Sequence, residues 1–263
     1  MNTIQINKLS YLHNGESVFF CKTDFIYEEF EKIKKNKNKV ILITGNSDYC
    51  ITDEIASKAP KNIIKWFCQN RLSDNPILES IPLGIENTVP CKINGHGYVW
   101  DHAHEKDKML QNLLLERQRH KNLCYANFDL NTNHTHRSII KKYVLNLEHV
   151  TWSDSNLSYQ NFVQDIINHD SVICAQGNGP GDNHRIYETL YCGRVPITFN
   201  PIQYNFLHNL FPVLLIKDLQ ELNDRKEMER RIHEIKNKIN LLYLDCDYWI
   251  NHINKYAQQH GLM

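Results

Sequence analysis

Val172-Ile-Cys-Ala-Gln-Gly177-Asn-Gly-Pro-Gly-Asp182-Asn-His-Arg185-Ile-Tyr-Glu188-Thr-Leu-Tyr-Cys-Gly193-Arg-Val-Pro196-Ile-Thr198 is the stretch whose reading decides the fold. A β-branched, apolar run enters it and reads as a buried strand. Gly177, Gly179, Pro180 and Gly181 then make a tight exposed turn. Asp182 has the short acceptor side chain of a helix N-cap. About ten residues with helical character follow and stop at Gly193, the residue type favoured at C′. Pro196 opens another strand. A strand, a glycine turn and a helix in succession point to an α/β protein with a parallel sheet.

The same unit suits an anion. Unpaired N–H groups and the macrodipole at a helix N-terminus attract phosphate. Glycines let a backbone approach closely. Arg185, in the first turn, adds a forked and permanent positive charge. Glu188 lies three residues on, on the same helix face, where a carboxylate can accept both hydroxyls of a ribose. Diphosphate at the turn, Arg185 on the phosphate and Glu188 on the ribose together describe a nucleotide-sugar site. Equally, these residues suit a structural glycine loop with an Arg185–Glu188 surface pair. The spacing is not that of a dinucleotide-binding G-x-G-x-x-G, and no Gly-Lys-Ser/Thr follows as in a P-loop.

Outward from this stretch the pattern repeats. Strands are expected at Ser17–Cys21, Val40–Thr44 and Ile63–Cys68, and at Asn122–Phe128, Val150–Trp152, Ser171–Ala175, Val195–Thr198 and Val213–Ile216. Helices are expected at Phe25–Lys35, Thr135–Val144, Tyr159–Asn168 and Asn183–Cys192, with a charged one near His104–Arg119 and helical pattern from Leu222 to Gln259. A chain of 263 residues is long for one domain and short for two full ones. Two α/β domains are therefore expected, residues 1–115 on the acceptor side and 116–263 binding the nucleotide sugar, with terminal helices.

Composition narrows the classes. Thirty basic and thirty acidic side chains cancel, whereas a nucleic-acid binder usually carries a basic excess. The lysines at 32, 34, 35, 37 and 39 read as the solvated end of a helix. Eight cysteines occur without a CxxC pair; several lie in apolar runs and read as small hydrophobes. The N-terminus lacks the basic start and apolar core of a signal peptide, and no apolar run approaches the roughly 20 residues of a membrane span. A reducing, cytoplasmic setting is expected.

Gln176 to Leu190, closing with Gly193-Arg-Val-Pro196-Ile, resembles the signature near the C-terminus of exostosin-like glycosyltransferases. Lys65-Trp-Phe-Cys-Gln-Asn70 and Ile81-Pro-Leu-Gly-Ile-Glu-Asn87 are similar to segments of bacterial and viral relatives of that group. Asn127-Phe128, Thr132-Asn133 and Arg137 resemble the strand-to-helix entry of their nucleotide-binding half. The resemblance spans roughly residues 40–200. It implies a GT-B fold, two Rossmann-like domains facing each other across a cleft, with the donor in the C-terminal half and the acceptor on the N-terminal half. It also implies no catalytic metal and no cofactor beyond the nucleoside diphosphate sugar. The donor-binding set is then Gly177, Asn178, Gly179, Asp182, His184, Arg185, Glu188 and Arg137. The chain departs from the family in its shortness and lack of an anchor, and in the Ala-Gln pair entering the turn, so a reduced N-terminal domain is expected.

An inverting transfer needs a base for the acceptor hydroxyl. Asp48 follows a strand at the edge where open α/β sheets place their sites and ranks first, Glu86 second, His102 third. Each has an alternative role in a turn or cap. Asp245 and Asp247 resemble the Asp-x-Asp metal motif of GT-A transferases, which would make the enzyme metal-dependent. The flanks read as helix, and few residues follow. A non-catalytic nucleotide- or sugar-binding module is the other alternative. His102 with His104, and His134 with His136, suit metal ligation only if further ligands complete a set. Either histidine of the second pair suits a phosphate, because both precede Arg137 at a helix start. Trp66, Trp100 and Trp152 suit stacking or a core.

Overall fold

The structure is a computed structural model and describes residues 2–113, 122–179, 182–199, 207 and 210–262. Pro180 and Gly181 of the glycine turn, the expected helix beyond Leu113 and the expected boundary between 115 and 116 lie outside the described residues. The chain divides into two compact units. One comprises Met1–His104 with Leu242–Met263, the other Glu105–Leu241.

The first unit is built on β1 (Val18–Lys22), β2 (Val40–Gly45), β3 (Ile63–Cys68) and β4 (Leu78–Ser80), all parallel in the order β1-β2-β3-β4. β2 is buried along its whole length, as expected for a strand covered on both faces. The helix α1 (Ile6–Leu9) precedes the sheet, α2 (Ile26–Lys35) connects β1 to β2, and α3 (Asp53–Ser57) connects β2 to β3. α2 forms because Ile26, Phe30 and Ile33 recur at helical spacing; all three are buried against Trp66, Val40 and Leu42 in one cluster. Burying each contributes about 1.5–3 kcal/mol. Its lysines face solvent at the C-terminal end, and Lys32 pairs with Glu29 at 2.8 Å. Trp66 is core: its indole N–H donates to Thr44 Oγ1 at 2.9 Å.

The second unit begins with α4 (Ala103–Leu113, from Glu105 onward). Its sheet comprises β5 (Asn122–Ala126), β6 (Val150–Trp152), β7 (His169–Ile173), β8 (Val195–Thr198) and β9 (Leu214–Leu215). The order is β6-β5-β7-β8-β9, again all parallel. The connections are α5 (His134–Val144), α6 (Tyr159–Ile167) and α7 (His184–Tyr191), and α8 (Arg225–Lys236) follows the sheet. Ile140, Val144, Ile173, Ile197 and Met228 share one core cluster. The α/β class expected from the sequence is thus the class observed, with two parallel sheets.

Two local readings are corrected. The continuous helical pattern from Leu222 is two helices, α8 and α9 (Cys246–Gln259). Asn237 ends the first, and Asp245 caps the second by accepting from the Asp247 N–H at 3.0 Å. The short α1, α3 and β4 escape periodicity because four, five and three residues are too few to display one. His134 and His136 lie in the first turn of α5, ahead of Arg137. α9 is tied to the first unit by its Cys246 N–H, which donates to Asn2 O at 2.6 Å.

All eight cysteines are free thiols, six of them buried. Burial pushes Cys68, Cys124, Cys174 and Cys192 up to about 12, which keeps them protonated and unreactive. Among the described residues no helix is long and apolar enough to cross a membrane.

Candidate nucleotide-sugar site

In the second unit the chain leaves β5 toward β6 on one side, then returns to place β7 on the other. Loops leaving β5 and β7 therefore diverge, and open α/β sheets place ligands at such a reversal. The loop after β5 leads into α5; the loop after β7 is the glycine turn leading into α7.

Arg137 of α5 stitches the two loops together. Its Nη1 donates to Asp129 O at 2.7 Å, its Nε to Gln176 O at 2.9 Å and its Nη2 to Ala175 O at 3.4 Å. Asn133, in the left-handed conformation at φ 48°, donates to Gly177 O at 3.0 Å. Asn183 donates to Ala175 O at 3.2 Å, and Gln176 to Gly179 O at 3.3 Å. The carbonyls of the turn are thus committed to side chains. Burial, then the charge of Arg185, holds the Arg137 guanidinium below its ordinary range. Arg137 is largely occupied with shaping the turn.

The helix after the turn starts one residue later than expected. Asn183, not Asp182, is the N-cap of α7, and it makes no capping side-chain bond. Asp182 instead accepts from the Tyr187 hydroxyl. Gly193 sits at φ +66° just past the helix, the C′ role expected of it. Gly177 is not at positive φ, and among the described residues a Cβ there would meet nothing nearer than Asn183 Cβ at 4.0 Å. Asn178 is exposed, and His184 is half-buried.

Arg185 and Glu188 come together as the i,i+3 spacing requires, Nε to Oε2 at 3.2 Å. This is not a surface pair: the Glu188 side chain is 5% exposed. Arg185 lies flat on Phe162, with Cζ 3.8 Å from the ring centroid, a cation–π contact that fixes the fork. Its Nη1 is buried and has no hydrogen-bond partner among the described residues. Lys106 of α4 approaches Glu188 Oε1 at 3.7 Å and sits 5.1 Å from the Tyr159 ring centroid. Burial, then the charge of Glu188, raises the Tyr159 phenol well above its ordinary range. Lys106, Tyr159 and Phe162 were not readable as site residues, because each lies on a helix far along the chain from the turn. Only the amphipathic phase of α6, which turns Phe162 inward, hinted at one of them.

Other buried polar atoms without partners gather at the same edge. They are Asn183 Oδ1, His136 Nδ1 and Thr198 Oγ1. Thr198 ends β8 and the others start helices after β5 and β7. Burial, then Arg137, holds His136 below its ordinary value. Orphaned buried polar groups cost about 1–3 kcal/mol each, so each calls for an explanation.

The base candidates lie in the first unit. Asp48 is exposed in the loop after β2. Glu86 and His102 are brought together, Oε1 to Nε2 at 3.5 Å, and His102 stacks on the exposed Trp100 with ring centroids 6.1 Å apart. A carboxylate beside an imidazole is an arrangement that orients a base. Asp245 and Asp247 serve α9: the first is its cap, and the second accepts from Asn2 Nδ2 at 2.9 Å. Trp152 donates to Asp154 Oδ1 and carries Lys141 4.5 Å above its ring.

No family model and no curated protein matches the chain. Among solved structures it is similar to alpha,alpha-trehalose 6-phosphate synthase from Burkholderia multivorans, with TM-score 0.49 and 10% identity over 97% of this chain and 73% of that one. It is also similar to an alpha1,3-fucosyltransferase, with TM-score 0.45 and 11% identity over 92% of this chain and 76% of the other. Alpha1,3-fucosyltransferase with GDP-fucose gives TM-score 0.37 and 10% identity, covering 88% of this chain and 82% of that one.

Proposed function

We propose that this chain is a glycosyltransferase of GT-B type, exostosin-like, that moves a sugar from a nucleoside diphosphate sugar to a hydroxyl acceptor without a catalytic metal. The observation that carries it is Arg185: a buried guanidinium nitrogen without a partner, fixed on Phe162, beside a buried Glu188 at the strand-order reversal.

The diphosphate lies against Gly177–Gly179 and the start of α7, where helix N–H groups favour an anion. Glu188 accepts from the ribose hydroxyls. The acceptor oxygen attacks the anomeric carbon and gives its proton to Asp48 or Glu86, the latter with His102 beside it. The bond from that carbon to the phosphate oxygen breaks, and the nucleoside diphosphate leaves with the electron pair. Arg185 and the helix dipole neutralise the charge that develops there. Arg137 holds the turn in the shape this requires.

A thermal-shift screen against nucleotides and nucleotide sugars tests the proposal, since a ligand of the native state raises its stability. At least one nucleoside diphosphate should raise the melting temperature, and Arg185→Ala and Glu188→Ala should each abolish that rise. Normal binding by both variants would overturn the site assignment.

A further inference from the structure

β1 is the outer strand of the first sheet. Ser17 O, just before it, faces β2 and accepts from Ile41 N–H at 2.8 Å. Val18, Phe20 and Lys22 turn their N–H groups the other way, and side chains cover all three. Val18 N–H donates to Asn14 Oδ1 at 2.9 Å. Phe20 N–H donates to His13 Nδ1, and Lys22 N–H to His96 Nδ1, each at 3.1 Å. A backbone N–H only donates, so both Nδ1 atoms accept and each ring carries its proton on Nε2. An imidazole accepts in this way only while neutral.

The two histidines come from different segments, one before β1 and one after β4. His13 meets the Phe19 ring edge-on at 5.7 Å, and His96 lies 5.0 Å from the Phe25 ring. Lys92 ties the segments together: its N–H donates to Ser10 Oγ at 2.8 Å and its Nζ to His13 O at 2.5 Å. Among the described residues, the charged or titratable groups facing His13 are Glu29 and Lys32 of α2, Lys92 and His96. Those facing His96 are Glu28, Glu29 and Lys32 of α2, and Lys22 of β1. Glu29 already pairs with Lys32 at 2.8 Å, and Lys22 with Asp24 at 3.0 Å. Burial, only partly opposed by Glu29, holds both imidazoles below the ordinary histidine value. The covers are therefore complete above about pH 6.5 and are lost as pH falls through the folded-state values.

We propose that His13 and His96 form an acid-released latch on the open edge of the first sheet: protonation turns both acceptors into donors, frees the Phe20 and Lys22 N–H groups, and lets the two segments lift from β1. The new charges on His13 and His96 also repel Lys92 and each other, so the segments that Lys92 joins lift together. A bared outer strand is a template for pairing with further strands; at neutral pH the latch keeps it closed. The device lies within the first unit and is independent of the donor site.

Amide hydrogen exchange of the full chain, read residue by residue by NMR from about pH 7.5 to about pH 5 and corrected for the intrinsic pH dependence, tests this. Protection of Phe20 and Lys22 should fall by about three- to tenfold relative to Phe19 and Cys21, the loss of one hydrogen bond at each amide. His13→Asn puts an Oδ1 acceptor where Nδ1 stood and does not titrate. It should abolish the fall at Phe20 and keep the fall at Lys22; His96→Asn should do the converse. Equal loss at all four amides means general unfolding and overturns the latch. So does a fall at Phe20 or Lys22 that persists in the variant lacking its own histidine. Should either variant fail to fold, the imidazole nitrogen shifts of the wild type decide. Bare Nδ1 on both rings at neutral pH, protonated in step with the loss of Phe20 and Lys22 protection, supports the latch; an Nδ1–H on either ring at neutral pH overturns it.

Discussion

Both units are parallel sheets, yet their carboxyl edges are finished differently. In the first, strands run β1-β2-β3-β4 without reversal, and amides close the edge on itself. Asn46, after β2, donates to Asn7 Oδ1 at 2.7 Å and His96 O at 2.9 Å, and accepts from Asn87 Nδ2 at 3.0 Å. Asn7 N–H donates to Asn87 Oδ1 at 2.9 Å, and Gln69 Oε1 accepts from the Asn46 N–H at 3.0 Å. In the second, the order reverses at β5, and the edge holds Arg185 Nη1, His136 Nδ1 and Asn183 Oδ1 without partners among the described residues. The first edge is closed largely by its own amides, with Ser80 Oγ at the end of β4 left over; the second leaves more of its polar groups unmatched among the described residues. Strand order accounts for the difference, because only a reversal separates the loops enough to admit a ligand.

The largest effect that would sharpen this contrast is on stability. Asn46→Ala strands three partners and places alanine at φ 56°. At about 1–3 kcal/mol per orphaned buried group, a loss on the order of 3–5 kcal/mol is expected in urea unfolding. A loss below about 1 kcal/mol would show that the amide network is not what closes the first edge. Arg185→Ala should act chiefly on binding. It removes a nitrogen unpartnered among the described residues but also the ion-pair partner of the buried Glu188, so stability should fall by about 3 kcal/mol without unfolding the chain. Nucleoside diphosphate affinity, however, should fall about 10- to 100-fold, the value of a charged hydrogen bond. Unfolding by this variant would break the comparison, since the second edge would then also be self-supporting.

Gly177→Ala is a finer probe. Its methyl group has room and acceptable φ, so stability should change by less than about 0.5 kcal/mol. Nucleotide binding should still weaken severalfold, because the methyl occupies the ligand's approach. Unchanged binding would place the ligand elsewhere.

The smallest effect is on pH. His136 is held below its ordinary value by burial and Arg137, and burial likewise lowers His13 and His96 of the first unit. A folded-state value below the unfolded one means their contribution is complete above about pH 6.5. It is lost as pH falls from there through the folded-state value. Stability should therefore drop as pH falls below about 6.5. A bound diphosphate near His136 favours its protonated form, so nucleotide should blunt the drop, and His136→Asn should remove that blunting.

Much of this was legible in the sequence. Apolar runs flanked by turn residues marked eight of the nine strands among the described residues, because parallel strands bury both faces and leave a clear signal. Arg185 and Glu188 were readable as a pair because helical spacing alone brings them together. Glu188's burial was not, since it depends on Lys106, Tyr159 and Phe162 from other helices. Asp182 was misread as the cap because its side chain is drawn to Tyr187, a choice that local propensity does not register. The amide network was invisible for a similar reason. Asn7, Asn46 and Asn87 look like ordinary turn residues until the fold superposes their loops.

The stitched carbonyls of the glycine turn have a consequence for chemical probes of this protein. With Ala175, Gln176, Gly177 and Gly179 oxygens already bonded to Arg137, Asn183, Asn133 and Gln176 side chains, the turn has little appetite for hydrogen-bond donors. A competitive inhibitor should therefore present acceptors, such as sulfonate or malonate groups. An amine- or urea-bearing fragment would find its counterparts taken.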